Sequence, residues 1–519
     1  MSREKTKGIM LAAPLSGSGK TTITCALLKA LKKKGLKTVS FKCGPDYIDP
    51  LFHKKALGIE GRNLDTFFAG AKKVAASFSK CEADIAVVEG VMGLYDGMNA
   101  GGLEGSSYEI AKALNLPIVL IVDASGVGRT IISLVKGMLI DDTNKLIKGV
   151  ILNKISENFY NNLKPVFEKE ISSMRSDVKL LGFFPKNKDI VIESRHLGLK
   201  LPEEMEDIKK KISAAAENLQ KNVDLNELIK LAEEHNNDSN REIEKEYKQS
   251  DGFTGDDTRY DSKIGEGLTL AIAYDDAFCF YYKDNFELFE EYGVKLKMFS
   301  PLKDKELPAD ADGILLGGGY PENHLEELSH NESMRRSIKA ALDRGIPSLA
   351  ECGGFMYLHK TITDIDGNSY EMVSEIDGEC HYTGHLVRFG YMEIESESHD
   401  SGSDSDINNI AFSKKEEGSD FDEDILRCSH VGMKEHEFDE DILRRSLVGM
   451  KGHEFHYYDS SNNGDALVAR KPGKDIRWNC MISQNNGIWG FPHFYYNSNP
   501  EFIKIFIGRM RAVKDEKLK

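Results

Sequence analysis

Short apolar runs alternate with helical patterns along most of this 519-residue chain. In the N-terminal part, runs rich in Val, Ile and Leu predict strands over residues 8–13, 38–42, 85–89, 118–123, 149–153 and 178–183. Helical patterns between them include residues 21–34, 107–114 and 131–140. This alternation predicts a parallel sheet with helices on both faces, because parallel strands need long crossover connections that are usually helical.

The alternation starts again beyond residue 265. Predicted strands there cover residues 269–274, 294–299, 313–316 and 347–350, and predicted helices cover residues 278–292 and 331–343. A chain of this length is too long for one hydrophobic core. We therefore expect an α/β protein with two tandem α/β domains, residues 1–232 and 266–510, joined by an acidic linker over residues 233–265.

Two acidic segments account for nearly all of the net charge of −16. Residues 233–262 hold 10 acidic and 4 basic side chains, and residues 395–424 hold 11 acidic and 2 basic ones. Both segments are poor in large apolar residues, which predicts solvated segments rather than binding surfaces. Since the rest of the chain is nearly neutral, we expect no nucleic-acid partner.

A 17-residue sequence occurs twice in succession, as residues 421–437 and 438–454, with 14 of 17 positions identical. Two copies are too few for a repeat architecture. We interpret them as a local duplication placed before a strand, with the second copy continuing the domain. Residues 395–451 are accordingly assigned to an acidic and duplicated insert, and a regulatory role for this insert is the alternative.

The chain has the features of a cytoplasmic protein. No apolar run approaches the roughly 18–20 residues that span a membrane, so no membrane contact is expected. The N-terminal apolar run leads directly into a glycine-rich loop and is too short for a signal peptide. The eight cysteines form no CxxC pair and are spread along the chain, which is typical of reduced thiols.

A glycine-rich motif follows the first predicted strand and opens the first predicted helix. Its residues are Gly17, Ser18, Gly19, Lys20, Thr21 and Thr22. Such a loop cradles phosphate oxygens with its backbone N–H groups, so we expect Lys20 to reach the β- and γ-phosphates of ATP and the Thr21 hydroxyl to ligate Mg²⁺. Pro14 stands where the first glycine of the motif is usual, and an ordinary glycine-rich turn is the alternative. Asn153, at the end of a later predicted strand, is a candidate for nucleobase recognition, with a simple loop residue as the alternative.

Four carboxylates follow the second and third predicted strands: Asp46, Asp49, Glu89 and Asp96. The carboxyl ends of parallel strands meet at one sheet edge, so we expect these side chains to converge on the phosphate loop. Mg²⁺ prefers hard oxygen ligands, which makes Glu89 and then Asp46 candidate ligands besides Thr21. Asp49 and Asp96 are candidates to orient or deprotonate a substrate. A turn-forming or helix-capping role is the alternative for each.

Cys352 lies at a predicted strand-to-helix turn and is followed by Gly353 and Gly354. A thiolate at such a turn can attack an amide carbonyl, because a helix N-terminus and a nearby imidazole lower the pKa of a thiol. Gly318 and Gly319 follow the neighbouring predicted strand. Their backbone N–H groups and that of Gly353 are expected to hold the substrate and stabilise its oxyanion. A buried inert thiol is the alternative.

The base for this cysteine is expected to be a histidine far along the chain. His493 follows a final strand-like segment and is the best candidate. Glutamine amidotransferases with a catalytic triad carry Glu two positions after this histidine, whereas Tyr495 stands there in this chain. The sequence therefore predicts a Cys–His dyad, or a triad whose orienting group comes from elsewhere.

Nine segments, spread over nearly the whole chain, resemble the cobyrinate a,c-diamide synthase family, glutamine-hydrolysing enzymes of cobalamin biosynthesis. The segments are residues 13–22, 42–50, 62–65, 89–97, 317–322, 350–354, 388–391, 452–456 and 498–500. Pro14 and the missing Glu after His493 also suit the pattern of that family.

The resemblance implies a P-loop domain like that of dethiobiotin synthetase, followed by a class I glutamine amidotransferase domain. It implies that Cys352, activated by His493, hydrolyses glutamine to release ammonia. It further implies a ligase that amidates the a and c acetate carboxylates of cobyrinate through acyl phosphates, with ATP and Mg²⁺, and that Asp49 and Asp96 position the macrocycle or the ammonia. The implied partners are a corrinoid or related tetrapyrrole, L-glutamine and ATP, and both a monomer and an oligomer stay open.

Three other functions are compatible with parts of the pattern. The same chemistry could act on hydrogenobyrinate or nickel-sirohydrochlorin, since the catalytic residues would be identical. A partition-type P-loop ATPase would explain the phosphate loop but gives no reason for Cys352 and His493. A glutaminase with a decayed nucleotide site is opposed by the intact Lys20, Thr21 and Glu89.

Overall fold

The computed structural model describes residues 6–99, 101–187, 190, 192, 194–195, 198–199, 207–234, 263–395 and 440–518. The chain divides into two compact units, Met1–Phe253 and Thr254–Lys519. Most of the predicted linker, most of the predicted insert and the whole first copy of the duplication lie outside the described residues. Each unit is an α/β structure built around a largely parallel sheet, so the predicted fold class is confirmed.

The first unit is built on a seven-stranded sheet in which all neighbouring strands pair in parallel. Its strands are β1 (Lys7–Ala12), β2 (Thr38–Cys43), β3 (Gly61–Leu64), β4 (Ile85–Glu89), β5 (Ile118–Asp123), β6 (Ile147–Asn153) and β7 (Lys179–Phe184), in the spatial order β3-β2-β4-β1-β5-β6-β7. A separate two-stranded ribbon pairs β8 (Ser194–Arg195) with β9 (Gly198–Leu199). The strand order reverses beside β1, which places the loops after β1, β2 and β4 at one sheet edge.

Helices connect these strands. They are α1 (Lys20–Lys33), α2 (Ile48–Phe52), α3 (Thr66–Ser79), α4 (Ser107–Leu114), α5 (Thr130–Asp141), α6 (Glu157–Ser172), α7 (Ile208–Asn222) and α8 (Leu225–Glu234), with a π-helical turn over His53–Leu57. The six predicted strands and the three predicted helices are confirmed to within two residues at each end. The strand β3 was missed, because Gly61-Arg-Asn-Leu64 contains a single large apolar side chain and lacks a strand pattern.

The second unit contains a six-stranded sheet in the order β12-β10-β13-β15-β25-β24, parallel except for its last pair. The strands of this unit begin with β10 (Thr269–Ala273), β11 (Phe278–Phe280), β12 (Lys295–Phe299), β13 (Gly313–Leu316), β14 (Gly318–Gly319) and β15 (Ser348–Glu351). They continue with β16 (His359–Thr363), β17 (Ser369–Glu371), β18 (Ile376–Tyr382), β19 (Arg388–Glu395), β20 (Lys451–His456), β21 (Tyr458–Ser460), β22 (Leu467–Arg470), β23 (Arg477–Cys480), β24 (Ile482–Gln484), β25 (Gly487–Gly490) and β26 (His493–Phe494).

Smaller sheets in this unit carry the later part of the chain. A five-stranded antiparallel sheet has the order β23-β22-β19-β20-β26, a four-stranded sheet the order β17-β16-β18-β21, and β11 pairs with β14. The helices are α9 (Lys283–Glu291), α10 (Leu325–His330), α11 (Glu332–Asp343), α12 (Gly353–Leu358), α13 (Glu440–Arg445) and α14 (Pro500–Leu518), with single 3₁₀ turns at Pro321–Asn323 and Tyr496–Ser498. Across the described parts of both units, no helix has the length and apolar character that a membrane crossing requires.

The predicted helix over residues 278–292 is wrong in its first part. Residues Phe278–Phe280 form β11, and the helix α9 begins only at Lys283. The aromatic residues at the start of this segment have helical spacing in the sequence. In the structure Phe278 pairs instead with Gly319, and β11 and β14 form a two-stranded ribbon after β13. In this ribbon Gly318 pairs with Phe280 and Gly319 with Phe278.

The second copy of the duplicated sequence supplies α13 and β20. Within β20, Gly452 faces the backbone of β26: a Cβ atom there would lie 2.4 Å from the carbonyl oxygen of His493 and 3.1 Å from the Sδ of Met392. The first copy carries Glu435 at the equivalent position. A glutamate side chain does not fit at this point of β20.

We predict that Gly452→Ala lowers the free energy of unfolding of the second unit by about 1–3 kcal/mol, because β26 must move to admit the methyl group. Calorimetry of the two unfolding transitions measures this loss. The matched control is Gly137→Ala in α5, where the added Cβ has open space within 4 Å and the change removes a helix-interior glycine. Unaltered melting of the second unit in Gly452→Ala would show that β20 and β26 do not pack as described.

Candidate functional site

The phosphate loop joins β1 to α1 in the first unit. Gly17 and Gly19 have φ angles of 73° and 86°, in the left-handed region that glycine adopts without a Cβ penalty. A Cβ atom on Gly19 would lie 2.3 Å from the Nδ2 of Asn153. That amide donates a 2.7 Å hydrogen bond to the carbonyl oxygen of Ser18, which is itself buried. The structure thus places Asn153 against the loop backbone, and the half-buried Thr22 in the first turn of α1.

Lys20 and Thr21 open α1 and point to the loop that follows β4. The ammonium of Lys20 donates a 2.6 Å hydrogen bond to the carbonyl oxygen of Met92. The hydroxyl of Thr21 donates a 2.6 Å hydrogen bond to the Oε1 of Glu89. Burial, followed by the nearby charge of Lys42, lowers the pKa of Lys20. An anion beside this lysine would favour the charged ammonium and so oppose both effects.

Three of the four predicted carboxylates meet at Lys42, the first residue of the segment 42–50, and the sequence predicted no role for this lysine. Its ammonium lies 2.5 Å from Asp49, 2.9 Å from Glu89 and 4.0 Å from Asp46. Burial alone would lower the pKa of Lys42, but Asp49 and Glu89 outweigh it and raise that pKa well above its usual range. Lys42 is a charged residue near the end of a buried strand, and an acidic segment follows it in the sequence. That combination is the signal from which this ion cluster could be predicted.

The buried carboxylates differ in their electrostatics. Burial and the neighbouring Asp46 raise the pKa of Asp49. Burial also opposes ionisation of Glu89, but the charge of Lys42 and the hydrogen bond from Thr21 lower the pKa of Glu89 overall. Glu89 is therefore the firmer anion of the two.

Asp46 and Asp96 both form turns at this edge. The Oδ1 of Asp46 accepts hydrogen bonds from the backbone N–H groups of Ile48 (2.8 Å) and Asp49 (3.2 Å). The Oδ2 of Asp96 accepts a 2.8 Å hydrogen bond from the backbone N–H of Gly93. The capping role that the sequence left open is thus present at both residues, and Asp96 also acts electrostatically on Lys20.

The residues at this edge fit a magnesium ion that also takes phosphate oxygens. Glu89 is fully buried, and its Oε2 has no hydrogen-bond partner among the described residues. Its Oε1 lies 2.6 Å from the hydroxyl of Thr21, so two hard oxygen donors stand together at the start of α1. In the described residues no group of three or more His, Cys, Asp and Glu side chains could hold a metal. A magnesium ion bound mainly to nucleotide phosphates needs only one or two carboxylates.

Cys352 occupies a strained turn between β15 and α12 in the second unit. Its φ and ψ angles are 45° and −102°, which a residue with a Cβ adopts only at an energetic cost. The backbone N–H of Cys352 donates a 2.8 Å hydrogen bond to the carbonyl oxygen of Gly490 on the neighbouring strand β25. Burial raises the pKa of the thiol, and the charges of Glu322 and Glu454 raise it further. The thiol is therefore neutral at rest, contrary to the lowered pKa that the turn alone suggested.

Three glycines lie between the cysteine turn and the candidate base. A Cβ atom on Gly353 would lie 3.2 Å from the backbone nitrogen of Gly319. A Cβ atom on Gly318 would lie 2.1 Å from the Cε1 of His493. The segment Gly318–Gly319 therefore touches both the cysteine turn and the histidine. This is the predicted grouping of Gly318, Gly319 and Gly353 with Cys352 and His493.

His493 is buried in β26, and burial lowers its pKa well below the usual range, with His453 and His456 adding to the effect. Its ring stacks on that of His453, with 5.1 Å between the centroids and 17° between the planes. Tyr495, at the position of the triad acid, donates a 2.7 Å hydrogen bond from its hydroxyl to Asp284. The place of His453 opposite His493 depends on strand pairing, so its sequence position alone does not indicate it.

Glu351, the residue before the candidate nucleophile, links the cysteine strand to the histidine strand. Its Oε1 accepts a 2.6 Å hydrogen bond from the hydroxyl of Tyr496, and the carboxyl also accepts one from the backbone N–H of Phe494. Burial raises the pKa of Glu351 to about 8. A neutral carboxyl group thus ties the turn of Cys352 to the segment that carries His493.

A small polar cavity lies beside the histidine strand. Its lining comprises Arg388, Glu454, His456, Asp459, Asn463, Trp478, Asn479, Cys480, Phe491 and Pro492. The Oε1 of Glu454 accepts a 2.8 Å hydrogen bond from the indole N–H of Trp478. Its Oε2 lies 3.0 Å from the Nε2 of His456. The ring of His456 stacks on Phe491, 3.9 Å between centroids, two residues before His493. Phe491 and Pro492, which precede His493 in the chain, thus form part of the cavity wall.

Two family models match the chain, one in each unit. Residues 9–199 match a family described as the CobQ/CobB/MinD/ParA nucleotide binding domain. Residues 269–410 match a family described as the CobB/CobQ-like glutamine amidotransferase domain. These matches agree with the phosphate loop in the first unit and the cysteine turn in the second.

Curated relatives match across both units. The cobyrinate a,c-diamide synthase of Clostridium tetani is 42% identical over 391 residues, which cover 75% of this chain and 82% of the relative. Cobyrinate a,c-diamide synthases of Caldanaerobacter subterraneus and Fusobacterium nucleatum are 35% and 37% identical. Each of those two alignments covers 96% of this chain, with 97% and 99% of the respective relative.

We predict that the stability of the second unit falls as pH rises, because of Glu351. The unfolded chain loses this proton near the ordinary pKa of 4.5, whereas the folded chain keeps it up to about pH 8. The contribution of protonated Glu351 to the free energy of unfolding is thus complete below about pH 4.5, and it is lost progressively as the pH rises to about 8. Glu351→Gln cannot ionise and removes the effect.

Relative to the unsubstituted protein, Glu351→Gln should therefore gain free energy of unfolding between about pH 5 and about pH 8, by at most about 1.4 kcal/mol per pH unit. Urea unfolding at several pH values measures the difference. The exposed Glu290→Gln in α9 is the control and should show no such trend. A difference independent of pH would mean that Glu351 is ionised in the folded protein.

Proposed function

The chain belongs to the cobyrinate a,c-diamide synthase family, and from this we propose that it converts the a and c acetate carboxylates of cobyrinate to amides, with glutamine as the nitrogen donor and ATP as the activating co-substrate. The observation that carries the proposal is the presence, in one chain, of a phosphate loop with buried carboxylates and of a strained cysteine grouped with a buried histidine. The names of the curated relatives support the substrate.

In the second unit, Cys352 attacks the side-chain amide of glutamine. His493 accepts the thiol proton as the sulfur–carbon bond forms, which offsets the raised pKa of the buried thiol. Backbone N–H groups of Gly319 and Gly353 stabilise the oxyanion. His493 returns the proton to the leaving nitrogen, so that ammonia departs and a glutamyl thioester remains, which water then hydrolyses to glutamate.

In the first unit, a carboxylate of the macrocycle attacks the γ-phosphate of ATP. ADP leaves, and an acyl phosphate forms. This step makes a poor acylating agent reactive, because phosphate departs readily when ammonia attacks the same carbon. The chain contributes mainly position and charge: the loop backbone and Lys20 hold the phosphates, and the charge of Lys20 offsets the charge that develops on them.

Mg²⁺, when bound, would neutralise phosphate charge, and Thr21 and Glu89 are the residues that would hold it. Lys42 keeps the carboxylates of Asp49 and Glu89 at one point and prevents their mutual repulsion from spreading them apart. Asp96 is the remaining candidate to orient the macrocycle or the ammonia, since its loop also carries Met92, the partner of Lys20.

We predict that Cys352→Ala abolishes amidation with glutamine, by about 10³-fold or more, because the nucleophile is lost. Amidation with ammonium salts should stay within about twofold of the unsubstituted protein, since the ATP site lies in another unit. Mass spectrometry of cobyrinate after incubation with ¹⁵N-amide glutamine or ¹⁵N-ammonium counts the labelled amides. Cys380→Ala, which removes another buried thiol of the same unit, is the matched control.

The same assay identifies the macrocycle. Hydrogenobyrinate and nickel-sirohydrochlorin are offered in parallel arms, and cobyrinate should be amidated at the highest kcat/KM. A higher kcat/KM with hydrogenobyrinate or nickel-sirohydrochlorin would identify that macrocycle as the substrate and would leave the proposed amidation reaction unchanged. Glutamate release without amidation of any macrocycle would leave only a glutaminase, and ATP-dependent dimerisation without glutamine hydrolysis would favour the partition-type ATPase.

We also predict that Gly318→Ala selectively impairs the use of glutamine. The added Cβ would lie 2.1 Å from the Cε1 of His493 and would displace the imidazole. Since a misplacement of about 1 Å can cost about 10²-fold in rate, glutamine-dependent turnover should fall by about that factor, with ammonium-dependent turnover retained. Equal loss with both nitrogen sources would indicate that Gly318 serves the fold rather than the glutaminase site.

A further inference from the structure

A second buried imidazole faces the candidate base across a strand pair. His453 in β20 and His493 in β26 are direct partners in the antiparallel ladder. Their rings stack, with centroids 5.1 Å apart and planes 17° from parallel. Directly opposite residues on one face of an antiparallel pair are the closest side-chain neighbours that a sheet provides. The stack is therefore built into the register of the sheet.

His453 is itself anchored. Its Nδ1 lies 3.2 Å from the hydroxyl of Tyr282, and both side chains are buried. The ring of Tyr282 packs edge-on against Tyr495, with 5.5 Å between centroids. Tyr495 in turn donates its hydroxyl hydrogen bond to Asp284. A buried imidazole held on one side by a hydroxyl and on the other by a ring has little freedom to turn.

His493 is consequently enclosed on two sides. His453 covers one face of its ring, and the backbone of Gly318 meets its Cε1 edge so closely that no Cβ fits there. Rotation of the imidazole about its Cβ–Cγ bond would break the stack or collide with the glycine. In enzymes with a triad a carboxylate restrains the base, but the residue at that position here is Tyr495, which contacts Asp284.

We propose that His453 is a positioning residue that holds the imidazole of His493 in the orientation required to take the proton of Cys352. The inference rests on the glutaminase function proposed above. Burial lowers the pKa of His453 to about 3, so the ring that covers His493 is uncharged at neutral pH.

The test separates the stack from the polar contact. His453→Ala removes the ring, whereas the double variant His453→Phe/Tyr282→Phe keeps a flat ring and removes both polar partners, so that no buried hydroxyl is left unpaired. Initial rates of glutamine hydrolysis give kcat and KM for each variant, and ammonium-dependent amidation is measured alongside. Thermal melting of each variant reports whether the second unit is folded.

His453→Ala should lower kcat for glutamine by about 10- to 100-fold with KM changed less than about twofold, because the base is misplaced while the substrate site is intact. The double variant should recover most of that loss. A folded His453→Ala with normal kcat, or a folded double variant as slow as His453→Ala, would overturn the positioning role. If His453→Ala does not fold, the double variant decides: kcat within about threefold of the unsubstituted protein supports the role, and a larger loss overturns it. An unsubstituted protein that hydrolyses no glutamine would overturn the proposed function itself.

Discussion

Parallel strand pairing places each group of candidate functional residues at one sheet edge. In the first unit β1 lies beside β4, so the phosphate loop after β1 meets Glu89 at the end of β4. In the second unit β13 lies beside β15, so Gly318 and Gly319 meet the turn of Cys352. The carboxyl ends of neighbouring parallel strands provide such a meeting point in any open α/β sheet. Each site therefore depends on the register of one pair of central strands, β1 with β4 or β13 with β15. The reactive side chains lie at the ends of these strands and in the loops that follow them.

The two candidate sites differ in the charge of their buried side chains. Around Lys42 the first unit buries an ion cluster, in which each carboxylate is compensated by the ammonium or by a hydroxyl. Breaking such a cluster from one side is costly, because the remaining charge is left unpaired. At the cysteine site of the second unit, burial favours the neutral forms of three groups: it raises the pKa of Cys352 and Glu351 and lowers that of His493. Phosphate chemistry needs fixed charge, whereas proton exchange between a thiol and an imidazole needs neutral partners that can trade a proton.

Local patterns in the sequence were sufficient for the four strands that end at the phosphate loop, at Glu89, at the glycine segment and at the cysteine turn. The runs that became β1, β4, β13 and β15 are apolar and continuous, as buried parallel strands are. The strand β3 and the ribbon strand β11 were missed, because their state is decided by pairing partners rather than by their own residues. Lys42 and His453 also lie in segments that carry the family resemblance, but their contacts with Glu89 and His493 depend on strand pairing. Spacing along the chain predicts which loops carry chemistry, and only the register of distant strands shows which side chains support it.

We propose that ATP activates a carboxylate of the macrocycle before ammonia attacks it. The most direct measurement uses cobyrinate whose acetate carboxylates carry ¹⁸O, with the inorganic phosphate analysed after turnover. Transfer of one ¹⁸O atom to phosphate for each amide formed is the predicted result, because the acyl phosphate breaks between carbon and the bridging oxygen. Amide formation with unlabelled phosphate would contradict the account.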